Sequence, residues 1–138
     1  MYASSLNVLL VEDSQLLADR LRESILMVPG IDLVATVDSE AAALRALNAR
    51  PIDVVVVDLH LQGGTGFGVL RALGADQGRR GIVPIVLTNH DLGEYRRAAM
   101  ALGARHFLDK LRDFDLLPQL LEQIALEPSR PCGRSAVS

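Results

Sequence analysis

The chain has 138 residues, 49% of them hydrophobic, which suits a single domain with a well-filled core. Aromatic residues make up only 4%, so aliphatic side chains must build that core. A net charge of -3 does not favour a nucleic-acid surface, and one cysteine, Cys132, excludes a disulfide framework. No apolar run approaches the roughly 18 residues of a membrane span, and no secretory signal begins the chain. We therefore expect a cytoplasmic protein without a membrane partner.

The first predicted elements alternate between strand and helix. Residues 6–11 form an apolar run typical of a buried strand. Apolar residues then recur every three or four positions over residues 17–28, as on one face of a helix, until Pro29 and Gly30 end it. Residues 31–37 are strand-like, but two polar residues interrupt them, which suits a less buried edge strand.

The alternation continues through the middle of the chain. Ser39 can cap a second helix, whose apolar stripe covers residues 41–47. Four consecutive valines at 54–57 predict a third strand, buried on both faces. Apolar residues at helical spacing over 67–73 predict a third, shorter helix that ends near Gly74.

Two further strand–helix pairs complete the pattern. Residues 82–87 and 105–108 have the character of strands. Tyr95, Ala98 and Leu102 mark the fourth helix, and a stripe over residues 114–124 marks the fifth. Strict alternation implies an α/β fold, a doubly wound five-stranded parallel sheet with helices on both faces.

The domain boundary is predicted to lie near residue 127. Residues 1–127 contain all five pairs. Residues 128–138 are rich in Pro, Ser, Arg and Gly without periodicity, and we expect them to form a disordered tail.

Polar residues follow the predicted strands at their carboxyl ends, where open parallel sheets bind ligands. They are Glu12 and Asp13 after the first strand, Asp58 after the third, Thr88 and Asn89 after the fourth, and Lys110 after the fifth. Clustered carboxylates need a neutralising partner, and a hard cation such as Mg²⁺ takes oxygen ligands. A carboxylate can also attack phosphorus, while a metal, an ammonium and a hydroxyl stabilise the transferring group. The set predicts phosphoryl transfer to Asp58.

Five motifs in order resemble those of the receiver domains of two-component response regulators, including the chemotaxis regulator. They are residues 8–13, residues 53–59, Gly66, residues 84–88 and residues 103–110. The resemblance covers roughly residues 6–127. It implies a flavodoxin-like fold with strand order 2-1-3-4-5, and a signalling module rather than an enzyme.

The resemblance also implies a role for individual residues. Asp58 would be the phosphoacceptor, and Thr88 and Lys110 would contact the phosphoryl group. Mg²⁺ or Mn²⁺ would be held by Glu12, Asp13, Asp58 and the backbone carbonyl of His60. Thr88 and Phe107 would form a conformational switch, in which the Phe107 ring turns inward when Thr88 contacts the phosphoryl group. His60, Asn89 and His90 would flank the site and modulate the lifetime of the phosphoryl group, and the two imidazoles would make it sensitive to pH near 6.5.

Three positions depart from the family pattern. Asn89 stands where Ala or Gly is usual, and Gln62 where the loop usually has Pro. Leu111 follows the lysine where Pro with a cis bond is common. Because a cis bond before a residue other than proline costs roughly 2.5–4 kcal/mol, we expect this bond to be trans or, if cis, strained for function.

By the same resemblance, the partners would be a histidine kinase or a phosphotransfer protein, and a second copy bound through the face of helix 4, strand 5 and helix 5. No nucleic-acid partner is expected within this chain. The alternatives are a degenerate receiver that mediates protein contacts without phosphorylation, a phosphatase of the haloacid-dehalogenase type and a flavodoxin relative. His60 stands where that phosphatase needs an acid, and the acidic pocket would repel a flavin phosphate.

Overall fold

A five-stranded parallel sheet lies at the centre of the structure, a computed structural model that describes residues 5–75, 81–89 and 93–127. The described residues form strands β1 (Leu6–Val11), β2 (Ile31–Val37), β3 (Val54–Val57), β4 (Val83–Thr88) and β5 (His106–Asp109), and helices α1 (Gln15–Leu26), α2 (Glu40–Ala49), α3 (Gly66–Ala75), α4 (Gly93–Ala101) and α5 (Leu116–Leu126). The strand order is β2-β1-β3-β4-β5, all parallel. The predicted fold class and strand order are confirmed.

The sheet separates two hydrophobic layers because successive side chains of a strand point to opposite faces. In β3, Val54 and Val56 join the layer of α1 and α5, whereas Val55 and Val57 join the layer of α2, α3 and α4. All four valines are buried. The edge strand β2 is only partly buried, as its two polar interruptions predicted.

Helix α4 packs through a different alanine from the one predicted. Ala99 is buried and Ala98 is exposed, while Tyr95 and Leu102 are half-buried. Positions 95, 99 and 102 lie on one face of a helix, and position 98 lies beside it. Both positions carry alanine, so composition alone could not distinguish them.

Local signals fix the helix ends. The Ser39 hydroxyl accepts a hydrogen bond from the Ala42 N–H at 3.1 Å, which confirms the predicted cap of α2. Ser14 caps α1 in the same way through the Leu17 N–H at 3.4 Å. Gly103 follows α4 with a φ of 108°, a conformation that favours glycine.

The peptide bonds of the described residues are all trans, including the bond between Lys110 and Leu111. No helix in the described ranges is long and apolar enough to cross a membrane. The predicted disordered tail at 128–138 and the proposed modulator His90 lie outside the described residues.

Candidate functional site

The carboxyl edge of the sheet carries all the polar side chains that are buried among the described residues. They are Glu12, Asp58, Thr88 and Lys110, with relative exposures of 3%, 6%, 0% and 6%. Charged side chains are almost never fully buried unless they are paired. The sequence predicted all four, and the fold brings them to one place from β1, β3, β4 and β5.

Lys110 is the only lysine of the chain, and it lies between two buried carboxylates. Its Nζ is 2.8 Å from Oε1 of Glu12 and 2.8 Å from Oδ2 of Asp58. Its backbone N–H donates to the carbonyl of Thr88 at 3.0 Å, which ties the residue after β5 to the end of β4. One cation therefore pairs with the carboxylates that end β1 and β3.

Burial and pairing act in opposite directions on the charged groups. Burial raises the pKa of Glu12, and this effect outweighs the hydrogen bond from Lys110 and that from the Ser14 N–H. For Lys110, burial alone would lower the pKa. The hydrogen bonds to Asp58 and Glu12 outweigh it, so the pKa of Lys110 is raised and the ammonium keeps its charge at neutral pH.

Asp58 follows the central strand β3, and its backbone N–H donates to the Val11 carbonyl at 3.1 Å. Its two carboxylate oxygens have different surroundings. Oδ2 binds the ammonium of Lys110 at 2.8 Å, whereas Oδ1 accepts only a long hydrogen bond of 3.3 Å from the His60 N–H. Oδ1 is the more weakly held oxygen of the two.

Three carboxylates could hold a metal ion. Glu12, Asp13 and Asp58 each offer an oxygen, and these oxygens lie within 4.8 Å of one another. When ionised, the three carboxylates and the ammonium of Lys110 leave an excess of two negative charges. A hard divalent cation such as Mg²⁺ or Mn²⁺ fits both this charge and the all-oxygen donor set.

The proposed switch residue Phe107 is turned into the core. It is 6% exposed and packs in the layer of α2, α3 and α4. The guanidinium carbon of Arg96, on α4, lies 4.6 Å from the centre of the Phe107 ring, a cation–π distance. This contact of Arg96 was not predicted from the sequence, because it joins two elements and leaves no local pattern.

The predicted modulators lie on the surface around the site. Asn89, directly after β4, is exposed. His60 is also exposed, and its ring centroid is 5.5 Å from that of Tyr95 on α4. Tyr95 in turn meets the ring of Phe67 at 6.1 Å. The sequence predicted His60 and Asn89 near the site but not the aromatic contact with α4.

The loop after Asp58 is held by glycine and by Glu40. A Cβ on Gly66 would lie 2.3 Å from the Asp58 carbonyl oxygen, so only glycine fits there. Glu40 accepts a hydrogen bond from the Thr65 N–H at 3.0 Å, and its side chain fills the space beside Gly64. The contact of Glu40 with this loop was not predicted, because Glu40 is distant from the loop in sequence.

Comparison with known proteins identifies the family of the chain. Residues 8–122 match the family model of the response regulator receiver domain. The chain belongs to this family. The receiver domain is 31% identical over 115 residues to the nitrate/nitrite response regulator protein NarP of Escherichia coli, covering 83% of this chain and 53% of NarP. It thus spans about half the length of that relative. It is also 27% identical to the transcriptional regulatory protein CitB of Klebsiella pneumoniae, over 88% of this chain and 51% of CitB.

Solved structures share the fold of the receiver domain. A two-component response regulator of the LuxR family from Aurantimonas sp. SI85-9A1 superposes with a TM-score of 0.79 at 27% identity, over 88% of this chain and 86% of that one. The signal receiver domain of a DNA-binding response regulator from Colwellia psychrerythraea 34H gives a TM-score of 0.82 at 23% identity, over 89% of this chain and all of that one.

Proposed function

We propose that this receiver domain accepts a phosphoryl group on the carboxylate of Asp58, in a reaction that depends on a divalent cation. The observation that carries the proposal is the buried ion cluster in which Lys110 pairs with Asp58 and Glu12 at 2.8 Å each. Such a cluster is costly to bury, and a structural role alone would be met as well by apolar side chains. Phosphoryl transfer uses every member of the set.

Asp58 is the best nucleophile among the three carboxylates. Both oxygens of Glu12 are bound, one to the ammonium of Lys110 and one to the Ser14 N–H at 3.1 Å. Asp13 is only half-buried, and the ion pairs of the lysine are with Glu12 and Asp58 instead. Asp58 combines an oxygen oriented by Lys110 with the weakly held Oδ1, which is free to form a new bond.

In the proposed step, an oxygen of Asp58 attacks the phosphorus of a phosphohistidine on a histidine kinase or a phosphotransfer protein. The new O–P bond forms as the P–N bond breaks, and the leaving imidazole nitrogen keeps the electron pair and takes up a proton. Lys110 holds the carboxylate and stabilises the negative charge on the phosphoryl oxygens. Glu12, Asp13 and Asp58, with the His60 carbonyl, would hold Mg²⁺ or Mn²⁺, which would supply further neutralising charge.

We further propose that Thr88 and Phe107 transmit the phosphorylation of Asp58 to the surface that binds partners. Thr88 ends β4 with its side chain fully buried at the edge that carries Asp58. Its hydroxyl would donate to the phosphoryl group, and Phe107, under Arg96, would repack with it. A bias of a few kcal/mol is enough to shift such a two-state equilibrium. The readout would be binding of a partner, or of a second copy, at the face of α4, β5 and α5 in the cytoplasm.

Asn89 and His60 are proposed to tune the lifetime of the phosphoryl group. Both are exposed and follow β4 and β3 at the site. Asn89→Ala should change the half-life of the phosphorylated protein without changing its thermal stability. An unchanged half-life would remove Asn89 from the proposal.

Intact-mass measurement after incubation with acetyl phosphate tests the proposed function. We expect one added phosphoryl group that needs Mg²⁺ and is absent from Asp58→Asn. Asp32→Asn is the matched control, since Asp32 is an exposed acid near the amino end of the edge strand β2 and should leave phosphorylation unchanged. A modified Asp58→Asn protein, or no adduct on the wild-type protein with either this donor or a phosphorylated phosphotransfer protein, would contradict the proposal.

A further inference from the structure

The chain turns sharply after β5, and a set of hydrogen bonds around Asp109 forms this turn. Oδ1 of Asp109 accepts from the N–H groups of Leu111 and Arg112, both at 2.9 Å. The Asp109 N–H donates to Oδ2 of Asp113 at 2.9 Å, and the Asp113 N–H donates back to the Asp109 carbonyl at 2.9 Å. Asp113 thus binds the backbone of Asp109 through both its carboxylate and its N–H, while the Asp109 carboxylate binds the two N–H groups that follow Lys110.

These hydrogen bonds enclose Lys110. The residue before it provides the carboxylate, and the two residues after it provide the N–H groups. Packing does not fix the following residue, because Leu111 is 87% exposed. On the sheet side, the Lys110 N–H donates to Thr88. The Asp109 carboxylate, together with that of Asp113, therefore holds the backbone on the far side of the lysine.

These hydrogen bonds are possible because residue 111 is not proline. Proline, which is common there in similar receivers, has no N–H and could not donate to Asp109. With Leu111 the peptide bond is trans and its N–H is used. An aspartate carboxylate that binds the N–H two residues on is a recognised way to make a turn. Here the turn carries the only lysine of the chain.

We propose that Asp109 is the positioning residue for Lys110: its carboxylate sets the turn that keeps the lysine ammonium between Glu12 and Asp58. The inference rests on the proposed function, because it assigns Asp109 to the phosphoryl-transfer site through Lys110. Asp109 itself is not proposed to contact the phosphoryl group or the metal. A side chain that the family resemblance did not single out thereby becomes necessary for the rate of transfer.

The single lysine allows a direct test. In protein labelled with ¹⁵N-lysine, the only Nζ signal is that of Lys110, and burial in an ion pair should protect its protons from exchange. We expect this protected ammonium signal in the wild type and in Asp109→Asn, whose amide oxygen can still accept both N–H groups. Asp109→Ala should lose it. Asp115→Ala is the matched control, since Asp115 lies in the same segment but caps no helix N–H with its side chain.

The phosphorylation rate with acetyl phosphate provides the second readout. Asp109→Ala should be slower than wild type by about tenfold to a hundredfold, as expected when a charged group is misplaced by about 1 Å, with Asp109→Asn near wild type. If Asp109→Ala does not fold, Asp113→Ala, which removes the other half of the turn, should weaken the Lys110 signal and the rate in the same direction.

The outcomes separate this inference from the proposed function. A Lys110 signal and a rate equal to wild type in folded Asp109→Ala, or in Asp113→Ala if that variant must stand in, would overturn the positioning role and leave phosphoryl transfer intact. A slower Asp109→Ala with an unchanged Lys110 signal would also overturn it, because the effect would not pass through the lysine. Absence of any adduct on the wild type would instead contradict the proposed function.

Discussion

Among single residues, Lys110 matters most to the site because it offsets two buried acids. Within the described ranges, Lys110 is the cation that pairs with both Glu12 and Asp58. Removing one partner from a buried pair leaves an uncompensated charge, which is far more costly than losing an exposed pair. Substitution of Lys110 should therefore lower both the free energy of unfolding and the rate of phosphorylation.

Lys110→Ala should lower the free energy of unfolding by roughly 3–5 kcal/mol in the absence of a divalent cation. Mg²⁺ should recover part of this loss, because a ligand that binds only the folded state stabilises it. Urea unfolding with and without Mg²⁺ measures both effects. Arg22→Ala, which removes an exposed pair with Asp19 at 3.5 Å, is the control and should cost less than about 1 kcal/mol. Equal losses in the two variants would contradict the account.

Gly66 and Gly74 lie in the same helix but differ in the space around them. A Cβ at Gly66 would lie 2.3 Å from the Asp58 carbonyl oxygen, whereas at Gly74 the nearest atom would be 3.8 Å away. Gly66→Ala should destabilise the protein by about 1–3 kcal/mol and slow phosphorylation, because backbone beside Asp58 must move. Gly74→Ala should be neutral or stabilise by up to about 1 kcal/mol. Chemical denaturation of both variants distinguishes them; similar values would count against the close approach.

At the scale of elements, the first residue of α2 holds the loop between β3 and α3. Glu40 accepts from the Thr65 N–H, and its own N–H donates to the Gly63 carbonyl at 2.8 Å. A Cβ on Gly64 would lie 2.4 Å from its carboxylate oxygen. The glycines in this loop leave room for the acid, and the loop departs from the family pattern at Gln62 without losing its anchor.

Glu40→Ala should speed amide hydrogen exchange of Thr65 about fivefold, as loss of a hydrogen bond worth about 1 kcal/mol predicts. Glu40→Gln keeps an acceptor oxygen and should exchange at close to the wild-type rate. Exchange followed by NMR in both variants is the measurement. Equal protection in Glu40→Ala and wild type would mean that the loop is held by other contacts.

The sequence predicted best those elements whose ends are marked by residues close to them in the chain. Strands β1, β2 and β3 were predicted with their observed bounds, because polar residues end each apolar run. The fourth and fifth strands each begin and end one residue later than predicted. The contacts of Glu40 and Arg96 were not predicted, because each joins residues of different elements and neither leaves a periodic pattern.

At the scale of the whole molecule, alternation alone gave a parallel sheet with helices on both faces, and the resemblance gave the strand order. The same topology explains why the site residues, spread from Glu12 to Lys110, could be predicted together. Parallel strands end at one edge, so polar residues after buried runs must meet there. Side-chain pairing at that edge, such as the lysine between two acids, required the structure.

The same lysine should make the stability of the protein depend on pH in the alkaline range. The folded-state pKa of Lys110 is raised above its ordinary value of 10.5, so its contribution to stability is complete below pH 10.5 and is lost as pH rises through the folded-state pKa. The free energy of unfolding should therefore fall in that range. Lys110→Met should lack this component. Parallel curves for the two proteins would contradict the shift.

Under the proposed function, Asp58 itself carries the phosphoryl group. The most direct measurement is borohydride reduction after treatment with acetyl phosphate and Mg²⁺, which converts a phosphorylated aspartate to homoserine, followed by peptide mass spectrometry. We predict homoserine at position 58, with Glu12 and Asp13 unmodified. Modification at another acid, or none at position 58 in a protein that has gained a phosphoryl group, would contradict the account.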